Sequence, residues 1–241
     1  MSSTPALTFK LYPTNCYLLK LSDVYLLIDT SFPNLFEDFL TQLKAANIEQ
    51  TQIRYLLLTH HHDDHAGFAS QLREKSGCRL IAHRAAVVGL EKGTMVSENR
   101  PLNRRVKLTM SIYNKVKRRD FGFPRVSFNE KDILVSCDDE NTPRQLGIEG
   151  KIICTPGHTA DSISLTLANG DAYVGDACMN FLNFCGIHYR PIWLMNPDLV
   201  FRSWRKIIDS GAKTIYPSHG KPVAAKELIR YGKKYAPALF S

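Results

Sequence analysis

No apolar run in this 241-residue chain approaches the roughly 20 residues needed to cross a bilayer. The opening Met1-Ser2-Ser3-Thr4-Pro5-Ala6-Leu7-Thr8-Phe9 has no basic flank leading into a long apolar stretch, so a secretory leader finds no support there. Cysteine is sparse as well. Six residues (Cys16, Cys78, Cys137, Cys154, Cys178 and Cys185) are scattered without a Cys-x-x-Cys pair, which excludes a short secreted disulfide framework. Free thiols in a reducing compartment follow, and with them the expectation of a soluble, cytoplasmic protein without a membrane partner. No close internal repeat is visible either.

A hydrophobic content of 44% over this length is enough for a single large domain, residues 1–241, with a well-buried core. The formal net charge is +8, and much of the excess is local. Arg100, Arg104, Arg105, Lys107, Lys115, Lys117, Arg118 and Arg119 fall in one short segment; Lys226, Arg230, Lys233 and Lys234 fall near the end and read as the solvated face of a last helix. Charge of this kind does not separate a nucleic-acid partner from an acidic substrate or a soluble surface.

Short β-prone runs at 7–12, 16–20 and 24–28 predict an antiparallel meander. Helical spacing follows from Leu35 to Leu43, then a buried strand at 54–58, a helix from Asp64 to about Lys75 stopping at Ser76-Gly77, a strand at 79–82 and a helix at 83–91. Leu102, Val106, Met110, Tyr113 and Val116 recur at three- and four-residue intervals with basic residues between them, so 99–119 predicts an amphipathic helix within an inserted segment, 99–123. Strands are expected at 125–128, 133–135, 145–148, 151–154, 163–167, 172–174 and 213–216, and helices at 197–210 and 222–235. Two similar halves of strands, helix and strand suit an α/β, four-layer αββα sandwich.

The densest chemistry lies in Thr59-His60-His61-His62-Asp63-Asp64-His65-Ala66-Gly67, directly after the apolar Tyr55 to Leu58. His60 and His62 at i and i+2 can turn to one point from an extended chain, and Asp64 and His65, opening a helix, to a second. Imidazole and carboxylate suit zinc and related divalent ions. Further polar residues close other predicted strands: Asp29-Thr30, Pro156-Gly157-His158-Thr159, Gly175-Asp176 and Pro217-Ser218-His219-Gly220. Each alone is as compatible with an ordinary turn.

In this order the motifs resemble the metallo-β-lactamase fold superfamily, across Asp29 to His219; the basic insertion is what the resemblance does not explain. It implies a first metal held by His60, His62 and His158, a second by Asp64, His65 and His219, and Asp176 as the bridge. Asp29 would orient its neighbours rather than ligate, Asp64 would also orient the attacking water, and Tyr189 would face the substrate carbonyl. His61, Asp63, His83 and His188 fall outside the ligand pattern; His83 reads as a structural histidine and Cys178 as a small buried thiol.

Two divalent ions, zinc by ligand type with iron or manganese as alternatives, would supply hydroxide near neutral pH, so the implied activity is hydrolysis. His62 stands where flavodiiron proteins carry glutamate, and His65 where well-known secreted β-lactamases differ by a cysteine ligand. The motifs are more similar to glyoxalase II-like thioester hydrolases and to lactonases, although a further C-terminal helical domain does not fit the length. A small-molecule carbonyl ester, thioester or lactone is therefore the expected substrate. A phosphodiesterase or nuclease on the same two metals is the alternative, weakened because no interleaved aromatics accompany the basic residues; a mononuclear iron sulfur dioxygenase is another. The apolar face of the insertion either roofs the metal pocket or packs on the sandwich or on a second subunit of a homodimer.

Overall fold

The computed structural model of the protein describes residues 6–95, 99–117 and 121–241. The side chains of Val116 and Lys117, and Arg118, Arg119 and residues 1–5 entirely, lie outside that description. The first half runs β1 (Leu7–Leu11), β2 (Thr14–Leu21), β3 (Val24–Ile28), α1 (Phe36–Ala45), β4 (Ile53–Leu57), α2 (Asp63–Ala66), α3 (Ala69–Ser76), β5 (Arg79–His83), α4 (Val87–Lys92), β6 (Arg100–Pro101), α5 (Arg104–Lys117) and β7 (Ile133–Val135). The second runs α6 (Asn141–Gln145), β8 (Gly150–Cys154), β9 (Ile163–Leu167), β10 (Asp171–Gly175), β11 (Trp193–Leu194), α7 (Pro197–Asp209), β12 (Thr214–Pro217), β13 (Val223–Ala224) and α8 (Ala225–Tyr235).

One sheet has the order β1-β2-β3-β4-β5-β7 and the other β13-β12-β10-β9-β8. Alternation along the strands explains how they stack, because successive side chains point to opposite faces. Leu18, Leu27, Leu56 and Leu80 join Phe39, Leu43 and Leu72 of α1 and α3 in an outer core. Their neighbours Tyr17, Leu19, Leu26, Ile28, Leu57 and Ile81 instead meet Ile152, Leu165 and Tyr173 of the second sheet in a central one. Trp204 and Ile207 of α7 and Leu228 of α8 cover the far face on Ala172, Val174 and Ile215. Both faces of each sheet are buried, and the layers read helix, sheet, sheet, helix, as expected.

β3, β4 and β5 are mutually parallel, and so are β10 and β12. Their C-terminal ends carry the loops in which the predicted ligands lie.

Three local expectations are corrected. The helix from Asp64 breaks at Gly67-Phe68 into α2 and α3, where the chain presses on the β3 loop: a Cβ on Gly67 would lie 2.3 Å from the Ser31 carbonyl oxygen. Residues 125–128 form no strand. The Val126 N–H donates instead to the Leu90 carbonyl at 2.9 Å and the Ser127 carbonyl accepts from Arg73, so that segment seals the end of α4 rather than a sheet edge. Residues 145–148 end α6 and a turn, because Asp139 caps the N–H groups of Asn141 and Thr142, and Leu146 and Gly147 bond back to the helix.

Candidate metal centre

The β4 strand ends at Leu57, Thr59 and His60 bend away from it, His62 is extended, and α2 opens at Asp63, so His60, His62 and His65 project from three successive local geometries. His158 follows β8, Asp176 follows β10 and His219 follows β12. Four of these six candidate ligands are held through their second ring nitrogen. His60 Nδ1 lies 3.2 Å from Thr59 Oγ1, His65 Nδ1 2.8 Å from Asp29, His158 Nδ1 2.6 Å from the Trp193 carbonyl and His219 Nδ1 3.0 Å from the Pro13 carbonyl. Such contacts fix ring orientation and leave the opposite nitrogen to face a cation.

Asp29 is the hub of this support. Fully buried, it accepts from the Thr59 N–H and hydroxyl, each at 2.7 Å, from His65 Nδ1 and from Ser218 Oγ at 3.0 Å. Thr59 and Ser218 directly precede ligand candidates His60 and His219, so one carboxylate registers loops from both halves of the sandwich. Gly175 permits the fit: at φ 52° it approaches Thr59 so closely that a Cβ would sit 2.3 Å from the hydroxyl.

Ligand atoms converge as three overlapping groups, His60-His62-His158, His60-His65-Asp176 and Asp64-His65-His219, each within 4.8 Å. His158 Nε2 lies 3.1 Å from His62 Nδ1 and 3.6 Å from Asp176 Oδ2. Asp176 Oδ1 lies 3.4 Å from His65 Nε2 and 3.5 Å from His219 Nε2, and Asp64 Oδ2 lies 3.2 Å from His219 Nε2. His60 Nε2, His65 Nε2 and Asp176 Oδ1 are buried without a hydrogen-bond partner. Buried polar atoms are normally paired, and orphans converging on one point fit a cation. The clusters can therefore hold one or two divalent metal ions.

Charge divides the clusters. Burial pushes His60 and His62 well below the ordinary histidine range, aided by neighbouring imidazoles. Burial lowers His158 too, against Asp176. In His65 and His219 burial also acts downward, but Asp176, with Asp29 and Asp64 at His65 and Asp64 at His219, outweighs it and holds both above that range. Burial would raise Asp176, yet His219 and His65 keep it well below the usual carboxylate range.

Above these groups opens a cavity of about 680 Å³. Its floor includes His62, Asp64, His158, Asp176 and His219; its walls include Met110 and Tyr113 of α5, with Phe181, Leu182, Ile192 and Trp193. The α5 helix also packs down, Val106 and Met110 joining Met179, Leu182 and Ile187. The two alternatives for its apolar face thus coexist.

Tyr189 does not reach the site. It has φ 67°, its ring rests 5.6 Å from that of Tyr231 against α8, and it does not line the cavity; turning outward here brings it into the α7–α8 core instead. His83 accepts from the Ala85 N–H as a helix cap, and Cys178 is a buried thiol raised by burial.

Asp161 is the participant that sequence reasoning missed. Its Oδ2 accepts from the His61 N–H at 3.0 Å and lies 2.9 Å from His61 Nδ1, tying the His60–His62 loop to the loop carrying His158. The available signal was a carboxylate three residues past His158 and two before the first residue of β9.

The comparisons identify the family to which this fold belongs. The sequence model of the Metallo-beta-lactamase superfamily matches residues 10–219. The chain belongs to that superfamily, whose members are metal-dependent hydrolases. It is 28% identical over 227 residues to a Beta-lactamase-like protein 2 homolog of Caenorhabditis elegans, covering 90% of this chain and 59% of that one. A 41-residue stretch, 17% of this chain and 15% of the other, is 49% identical to a hydroxyacylglutathione hydrolase of Bradyrhizobium. The chain thus spans less than two thirds of these relatives. Among solved structures, a metallo-beta-lactamase superfamily protein from Sulfolobus tokodaii matches with TM-score 0.66 at 17% identity, over 95% of this chain and 85% of that one. A metallo-beta-lactamase family protein from Thermus thermophilus matches with TM-score 0.63 at 18% identity, over 96% and 79%. These likenesses speak for the fold.

Proposed function

We propose that this protein is a binuclear metal-dependent hydrolase that cleaves a carbonyl ester, thioester or lactone-type bond in a small molecule. The observation that carries the reading is the convergence of unpartnered buried ligand atoms on two adjoining points at the floor of a large, apolar-walled cavity. His60, His62 and His158 would hold one ion, Asp64, His65 and His219 the other, with Asp176 between them. Divalent ions there, zinc by ligand type, would supply a lowered pKa of a bound water, toward about 7, and polarisation of an electrophile's oxygen.

The chain's own residues do the rest. Asp29 keeps His65 and the Thr59 and Ser218 loops in place, so ligand geometry survives turnover. Asp64, 16% exposed in its side chain and 3.2 Å from His219, presents a carboxylate at the cavity floor that can accept a proton-bearing water and orient it. The walls hold the apolar part of the substrate and exclude bulk water.

The cavity favours carbonyl over phosphoryl substrates. No lysine or arginine lines it among the described residues, and Arg104, Arg105 and Lys107 are exposed on the outer side of α5. A phosphodiester would meet cationic charge only at the metals. The test is a panel of esters, thioesters, lactones and bis-p-nitrophenyl phosphate with metal analysis alongside. Carbonyl turnover with about two ions per chain is expected; phosphodiesterase activity alone, falling steeply with salt, or a single iron per chain would overturn the reading.

A further inference from the structure

The cavity contains two polar atoms that the metal centre does not use. Asn99 Nδ2 and Asn114 Oδ1 are buried and have no hydrogen-bond partner, and both residues line the cavity. A buried, unmet donor or acceptor costs about 1–3 kcal/mol, so such atoms are retained where something else completes them. Asn99 lies just before β6, which pairs Arg100 with Leu194 and Pro101 with Trp193. Asn114 lies one turn past Met110 on α5. Both therefore come from the inserted segment, and around them the wall is apolar: Met110, Tyr113, Phe181, Leu182 and Trp193.

We propose that Asn99 and Asn114 form a neutral polar subsite in the apolar wall, which takes an uncharged group bearing both a donor and an acceptor, such as an amide, on a substrate with an apolar chain. The chemistry follows from complementarity. One open donor, Asn99 Nδ2, and one open acceptor, Asn114 Oδ1, are met together by a C=O and an N–H. A carboxylate conjugate gains nothing there, because no lysine or arginine lines the wall among the described residues and burying an unpaired charge is costly. This rests on the cavity being the substrate site of the proposed hydrolase, and it narrows the substrate class to apolar chains carrying a neutral amide-like group.

Binding without turnover separates the two readings. The metal-loaded protein is titrated with N-hexyl-, N-octyl- and N-decylacetamide, followed by fluorescence of Trp193 at the wall, and with the matching alkyl methyl ethers and S-decylglutathione. Affinity for the amides should rise by up to about 4-fold per methylene until the cavity is filled. Asn99→Ala and Asn114→Ala should each weaken the amides about 2- to 12-fold, the range of one neutral hydrogen bond, and Asn114→Ala should leave the ethers, which carry no N–H, unchanged. Metal content, measured on each variant, should stay at the wild-type value. Equal weakening of amides and ethers by Asn114→Ala, or S-decylglutathione binding as tightly as the decyl amide, overturns the proposal. Amide binding that responds to both asparagines in a protein without hydrolytic turnover would uphold the subsite and contradict the hydrolase.

Discussion

The floor of the cavity and its roof are held by different forces. On the floor, four histidines are pinned through their second nitrogen, to Thr59, Asp29, Trp193 and Pro13, and Asp29 alone accepts four hydrogen bonds. On the roof, α5 is seated chiefly by apolar contacts of Val106 and Met110 and leaves Leu108 and Ile112, 64% and 58% exposed, facing solvent. Directional bonds fix atoms to fractions of an ångström, whereas apolar packing accepts any side chain of suitable volume. The contrast teaches where change is tolerated: directional bonds hold the floor's side chains in place, and the apolar roof is where a side chain of similar volume can be exchanged.

Breaking the floor should have the largest effect. His60→Ala or Asp176→Ala should reduce hydrolysis of every substrate to background while circular dichroism reports a folded chain; wild-type turnover in metal-checked His60→Ala would remove the mechanism. Asp29→Asn keeps a residue that tolerates φ 58° but weakens the support of His65. A loss of about 10- to 100-fold in metal affinity, read by chelator competition, is expected.

The floor itself is divided by charge, and a metal titration can sharpen this. His60, His62 and His158 have lowered pKa values, so at pH 7 they are already neutral and accept an ion without releasing protons. His65 and His219 have raised values, so they hold more of their protons at pH 7, and an ion must displace those. Zinc added at pH 7 should thus release protons mainly with the second equivalent, and occupancy of that site should fall first as pH is lowered. Release confined to the first equivalent would reverse the assignment.

On the roof the effects shrink. Met110→Ala should raise KM for apolar substrates and leave metal content unchanged, which separates roof from floor in one variant. Leu108→Lys, on the outer face, should change stability by no more than about 0.5 kcal/mol and turnover not at all; a marked loss of activity would show that this face also matters to the site.

Sequence legibility follows the same line. The floor was legible as a candidate because metal chemistry demands particular residue types at strand ends; the structure brings His60, His62, Asp64, His65, His158, Asp176 and His219 together there, with Asp29 beside His65. The layered fold was legible in two similar halves of strands, helix and strand. What escaped was set by partners distant in sequence. Val126 bonds to Leu90 instead of a strand, Tyr189 turns away at a positive φ, and Asp161 meets His61 across 100 residues. Asn99 and Asn114 gave no signal, since an asparagine's value lies in what it fails to bond.

Anomalous diffraction at the zinc edge on crystals of the zinc-loaded protein tests the two-ion floor most directly. Two peaks are predicted, one among His60, His62 and His158 and one among Asp64, His65 and His219, with Asp176 between them. A single peak, or zinc bound away from these residues, would contradict it.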